Sequence, residues 1–150
     1  MANELESRLT TFLHDVTAAM GLALNASIEH EEDHLRVNLD GTGGEILLRR
    51  KAEALDALQH IVNTAFRRGP GDQHFVVDCM GYRRAKESEL RQMTAFLMER
   101  VRTTREPQEI GPLNPFHRRL VHLAVAADPA LASESVGDAF MKTVIISVKK

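Results

Sequence analysis

The chain has one cysteine, no tryptophan, and only six phenylalanines and one tyrosine among 150 residues. A single thiol, Cys79, closes no internal disulfide and leaves no Cys/Cys or Cys/His zinc spacing, so a reducing compartment is expected. No stretch approaches the ~18 consecutive apolar residues of a membrane span. The opening MANELESRL is acidic and amphipathic, with no apolar signal core. These absences predict a cytoplasmic protein with no direct membrane insertion. Few aromatics also mean few stacking platforms, of which Phe116 and Tyr82 stand nearest the motifs described below. Gly41-Thr42-Gly43-Gly44 lacks the Lys-Ser/Thr of a phosphate-binding P-loop and reads as a turn. No cofactor is expected.

What is present is ordinary for a globular chain: 43% hydrophobic and 27% charged residues, enough for one compact domain or two small ones. The net charge of −2 argues against indiscriminate polyanion binding, yet it hides an asymmetry. Residues 1–80 hold 7 Lys and Arg against 13 Asp and Glu, a balance of −6; residues 81–150 hold 12 against 8, a balance of +4. The second half is the better candidate for gripping phosphates.

Hydrophobic periodicity lays out the elements. Leu5, Leu9, Phe12, Leu13, Val16 and Met20 recur at helical steps up to Gly21. Leu22 to Ile28 and Leu35 to Leu39 alternate on either side of an acidic stretch, as in a β-hairpin. Gly41, Gly43 and Gly44 mark a loop, a helix runs from about Glu53 to Phe66, and Gly69-Pro70-Gly71 stops it. His74 to Cys79 reads as a buried strand. A long charged helix spans Arg83 to about Arg102, with Leu90, Met93, Leu97 and Val101 as its seam. An extended piece near Ile110 leads to Asn114-Pro115, a cap followed by proline at the first helical position, and then a helix through Leu120, Leu123 and Ala127. Leu131 to Val136, a turn at Gly137-Asp138, and the β-rich Thr143 to Val148 complete the chain. The order α-β-β-(short turn or helix)-α-β, then a long helix, then β-α-β-β, predicts an α+β protein with a break near Gly81 to Arg83.

Four segments carry a family resemblance: LDALQHIVN at Leu55–Asn63, VVDCMGYRR at Val76–Arg84, LNPFHRRLVH at Leu113–His122, and SES at Ser133–Ser135. In these the chain resembles the Jag (SpoIIIJ-associated) family of bacteria. The resemblance implies a type II KH domain of αββααβ order over residues 1–80 and a small R-three-H α/β domain over residues 81–150. The family's Gly-x-x-Gly loop falls on Arg49-Arg50-Lys51-Ala52, where both glycines are absent. Glycine there lets the backbone approach and clamp a sugar-phosphate chain. Three cations in its place offer an electrostatic patch without that cradle. The separate N-terminal domain that many members carry is not expected here.

The motif of most consequence is Arg118-x-x-x-His122. Helix positions i and i+4 share a face, so a guanidinium and an imidazole project side by side toward a strand's phosphates and bases. His117 and Arg119 flank the pair, about 100° away around the helix. Arg83, Arg84 and Lys86 on the long helix, and Lys142, Lys149 and Lys150 near the last strand, are candidates for supporting phosphate contacts, although most such charges form solvated faces. His30-Glu31-Glu32-Asp33-His34 satisfies the His-Glu-x-x-His zinc-protease pattern, but that chemistry needs a helix, and here the segment sits between two alternating β patterns. Cys79, in an apolar strand, reads as a small core residue and not a nucleophile.

The sequence therefore predicts a single-strand nucleic-acid-binding protein and not an enzyme. Its partner is single-stranded RNA, or single-stranded DNA, bound mainly through the R-three-H unit; RNA is favoured because the resemblance implies it. A KH-domain protein or a second copy of the chain is the protein partner the resemblance suggests. The alternative is a protein-interaction or dimerisation module that has lost KH-type RNA binding.

Overall fold

The computed structural model describes residues 2–67 and 73–150, with side chains from residue 4 onward. Contacts divide the chain into two compact units, Met1–Arg84 and Ala85–Lys150. The Gly69-Pro70-Gly71 stop lies outside the described residues.

The first unit runs α1 (Ala2–Ala19), β1 (Ala23–His30), β2 (His34–Thr42), α2 (Gly44–Leu47), α3 (Arg49–Phe66), β3 (His74–Cys79). The order is the αββααβ expected, with the optional turn resolved as the short helix α2. β2 is the central strand, antiparallel to β1 (His30 opposite Leu35) and parallel to β3 (Leu35 beside Phe75, Leu39 beside Cys79). Period-two alternation sends Leu35, Val37 and Leu39 into a core with Leu9 and Leu13 of α1 and Leu55, Leu58 and Val62 of α3. Met20, expected in the α1 stripe, is 45% exposed, and Thr17 takes the buried position instead. Thr17 manages this because its hydroxyl donates to the Leu13 carbonyl at 2.8 Å, leaving a methyl to face the core. Gly41 and Thr42 extend β2, so the glycine turn begins only at Gly43, whose φ of 91° suits a residue without Cβ.

β3 is an edge strand whose outer backbone groups are covered by α3. Asn63 accepts from the Phe75 amide and donates to the Phe75 carbonyl, and Gln59 accepts from the Val77 amide. On the face of β2 opposite the core, Arg36 meets Asp78 at 3.2 Å, the two side chains 2% and 0% exposed. Asp78 also accepts from the backbone amides of Cys79, Arg83 and Arg84, so one carboxylate starts the next helix. Cys79 is fully buried, and burial and then the neighbouring Asp78 push its thiol up to about 11.

That next helix, α4 (Tyr82–Thr104), begins in the first unit. The second unit continues with β4 (Gln108–Leu113), α5 (Pro115–Ala126), β5 (Leu131–Val136) and β6 (Lys142–Val148). β6 is central in an all-antiparallel sheet of order β4-β6-β5. Its core joins Met98 and Val101 of α4, Val121 and Val125 of α5, and Ile110, Leu131, Val144 and Ile146 of the sheet. Two expected seams are corrected. Met93 is 54% exposed, and the α4 seam passes through Thr94 and Met98, with the Thr94 hydroxyl donating to the Leu90 carbonyl. Leu123 is 56% exposed, because the sheet-facing stripe of α5 is Val121 and Val125 in phase with Arg118 and His122.

Candidate nucleic-acid interface

The chain enters α5 through a built cap. The Asn114 side chain accepts from the His117 amide at 2.8 Å, and Pro115 fills the first helical position, where a missing N–H costs nothing. From that start, one helical turn separates Arg118 from His122, and both flank the buried Val121 and Val125 above the sheet.

Arg118 is half-buried and held by neutral groups. Its Nη1 donates to the Leu113 carbonyl at 2.7 Å and to the Phe140 carbonyl at 2.8 Å, joining the end of β4 to the loop between β5 and β6. Two of the five guanidinium donors are thus spent on the fold, and the rest remain for a ligand. No carboxylate among the described residues pairs with it, so its charge is anchored without being neutralised.

His122 is also half-buried. Its Nδ1 lies 2.7 Å from the Ser133 hydroxyl and its Nε2 2.8 Å from the Ser135 hydroxyl. The two serines share the α5-facing side of β5 because they are two residues apart in a strand. Burial, then the charge of Arg118, lowers the imidazole below its ordinary 6.5 and favours the neutral ring. A neutral ring has one donor and one acceptor nitrogen, so one serine accepts from it and the other donates to it. Both nitrogens of His122 are thus engaged within the fold, and the ring orients the two hydroxyls. Ser135 is exposed and presents its remaining hydrogen-bonding capacity to solvent.

Lys142 is brought to the same place. It opens β6 opposite Leu113, whose carbonyl holds Arg118, and by strand alternation it shares the face of Val144. Arg119 is exposed on the next face of α5, while the half-buried His117 sits beside Phe116, ring centroids 5.9 Å apart. Phe116 is half-buried and Tyr82 packs against the first core, so neither presents an open ring. The exposed aromatic near Arg118 is Phe140, which the sequence pattern did not single out.

Arg83 and Arg84, in the first unit, already carry structural partners. Arg83 donates from Nε to the Val77 carbonyl at 2.7 Å and meets Asp56 at 2.9 Å, with its side chain only 12% exposed. Arg84 pairs with Glu29 and lies 3.6 Å from Glu31. In the second unit Lys86 faces Glu89 at 3.7 Å, and Lys149 and Lys150 are exposed. In the loop Arg49-Arg50-Lys51-Ala52, the last three residues take left-handed φ of 55°, 58° and 64°, the region glycine enters without strain. Arg49, Arg50 and Lys51 are exposed, but Ala52 is 1% exposed. Its methyl points into the core, so it does not obstruct the outer face of the loop as the sequence alone implied. His30 and His34 close the β1–β2 hairpin, binding Glu6 and Asp33 respectively at 2.8 Å, and no helix aligns them.

The family model for the R-three-H domain matches residues 88–148, which contain this arrangement. The protein named RNA-binding protein KhpB from Clostridium symbiosum is 30% identical over 149 residues, covering 97% of this chain and 67% of the relative. Its namesake from Bacillus subtilis (strain 168) is 22% identical over 142 residues, covering 93% and 68%. A third, from Lactiplantibacillus plantarum, is 22% identical over 151 residues and is covered to 47% of its length. With its R-three-H domain and a relative at this identity and coverage, the chain belongs to the KhpB family, the Jag family of the sequence resemblance.

Proposed function

We propose that the chain is a single-stranded RNA-binding protein, not an enzyme, and that the strand lies across α5, the β5 serines and the β5–β6 loop. The observation that carries this reading is Arg118: a guanidinium fixed by two carbonyls, unopposed by any carboxylate among the described residues, beside hydroxyls ordered by His122. Its remaining donors hold one phosphate, with Ser135 and Lys142 contributing at the rim and Arg119 and His117 at the neighbouring face. Such contacts grip the sugar-phosphate chain with modest base preference. RNA over DNA rests on the names of the relatives. A cytoplasmic location accompanies an RNA partner.

We further propose that the first unit is a type II KH-like domain. The αββααβ order, the mixed β1-β2-β3 sheet and the left-handed turn at Arg50, Lys51 and Ala52 at the start of α3 support it. Arg49, Arg50 and Lys51 there attract phosphates as an exposed cationic patch. Arg83 and Arg84 serve this unit's own fold through their carboxylate partners.

Anisotropy of a labelled single-stranded RNA, titrated at several salt concentrations, tests the reading. Wild type binds, and its affinity falls as salt rises. Arg118→Ala binds more weakly and lowers the log–log salt slope by about 0.7, the share of one phosphate contact on a single strand. Equal binding by wild type and Arg118→Ala at low salt removes the site. Failure of wild type to bind, with a protein partner co-purifying, favours the interaction-module alternative.

A further inference from the structure

We propose that Phe140 is the base-stacking residue of this interface, receiving an unpaired base of the same strand whose phosphate Arg118 holds. The proposal rests on the RNA-binding reading above and deepens it.

The aromatic inventory is short enough to follow in full. Phe75 is buried in the first core. Phe12 and Phe66 meet edge to face with centroids 5.6 Å apart. Tyr82 packs on the same core, and Phe116 is half-buried beside His117. Only Phe96 and Phe140 stand in solvent, at 64% and 72% exposure. Phe96 lies within α4, whereas Phe140 is joined to the interface by its own backbone: its carbonyl accepts from Arg118 Nη1 at 2.8 Å.

That hydrogen bond matters for presentation. The loop is short, lying between the end of β5 at Val136 and the start of β6 at Lys142. Pinning its backbone to α5 fixes the point from which the ring projects, so less conformational freedom is lost when a base settles on it. The ring is only a few bonds from the carbonyl that holds the guanidinium, within the reach of one nucleotide. Met141, next along, is 46% exposed and widens the apolar shelf, and Lys142 follows on the strand. An aromatic face with cations beside it is what a single strand requires, since every base has a π-face and every linkage a charge.

The test compares wild type, Phe140→Ala, Phe140→Leu and Phe140→Tyr on labelled oligoadenylate and on an abasic sugar-phosphate oligomer of the same length. Stacking predicts that Phe140→Ala weakens oligoadenylate binding between about 5-fold and about 150-fold. Phe140→Tyr restores it, Phe140→Leu does not, the salt slope stays at the wild-type value, and the abasic oligomer binds all four alike. Arg118→Ala, by contrast, weakens both oligomers. Equal oligoadenylate binding by Phe140→Ala and wild type overturns the stacking role while the phosphate site stands. A Phe140→Ala loss that appears equally on the abasic oligomer also overturns it. If wild type binds neither oligomer, the RNA-binding reading falls and this one with it. A second readout needs no comparison of affinities: the chain has no tryptophan, so Phe140→Trp introduces a lone indole. Its emission is quenched on saturation with oligoadenylate; unquenched emission in a saturated complex contradicts the proposal.

Discussion

Arg118 Nη1 lies 2.8 Å from the carbonyl oxygen of Phe140, so the cation of α5 and the most exposed ring of the β5–β6 loop are parts of one tethered structure. The same nitrogen reaches Leu113 at the end of β4. Arg118 clasps its own domain through both carbonyls and, in the proposed reading, also holds the strand, a double task that suits Arg better than Lys. A lysine ammonium bound to both carbonyls would have one N–H left, whereas the guanidinium keeps three.

The burial of His122 beside Arg118 makes stability depend on pH. Burial and Arg118 lower the His122 pKa in the folded state below the ordinary 6.5, so the unfolded chain binds more protons through the window beneath that value. The sign follows: this contribution is intact above about pH 6.5 and is lost as pH falls through the lowered native value. Urea midpoints measured from pH 8 to pH 5 for wild type and His122→Gln should converge as pH falls, because the variant lacks the titration. Parallel profiles would show that His122 is not held neutral.

The Asp78 carboxylate bridges two elements. Asp78→Ala removes the buried carboxylate facing the guanidinium of Arg36, 2% exposed, and the acceptor for the amides of Cys79, Arg83 and Arg84 around the start of α4. A loss of about 3–5 kcal/mol in urea unfolding is expected. Glu29→Gln, at the exposed pair with Arg84, should leave the midpoint close to wild type. Comparable losses in the two variants would contradict this contrast between buried and exposed pairs.

Left-handed backbone at Arg50, Lys51 and Ala52, at the start of α3, stores strain that glycine relieves. Arg50 has φ of 55° and a side chain 85% exposed, with only a 4.0 Å contact to Glu53. Arg50→Gly should therefore stabilise the protein by about 1 kcal/mol, the left-handed penalty less part of glycine's unfolded-state entropy. Thermal or urea unfolding checks it, and a clear destabilisation would show that the conformation is not strained.

The element order was legible because each segment kept its period: three and four residues in the helices, two in the strands. The buried threonines were not. Thr17 and Thr94 occupy core positions by satisfying their hydroxyls on the carbonyl four residues back, a device that hydrophobicity alone does not register. The face of α5 was misplaced toward Leu123 because its true stripe includes the two polar residues of the motif. At the site, the spacing of Arg118 and His122 was readable, but their partners were not. Ser133 and Ser135 stood in the sequence as part of a resemblance. The signal that gives them a role is their i, i+2 spacing in a strand opposite a helix histidine. Phe140 carried no pattern at all, since a single apolar residue in a turn looks the same whether it is buried or presented.

The most direct test of the central claim is amide chemical-shift mapping of the ¹⁵N-labelled protein titrated with single-stranded RNA. The account predicts the largest shifts at residues 116–122 and 133–142, with those at Arg118, Ser135 and Phe140 vanishing first as salt is raised. Shifts confined to Arg49–Ala52 with α5 and the β5–β6 loop unmoved would contradict it.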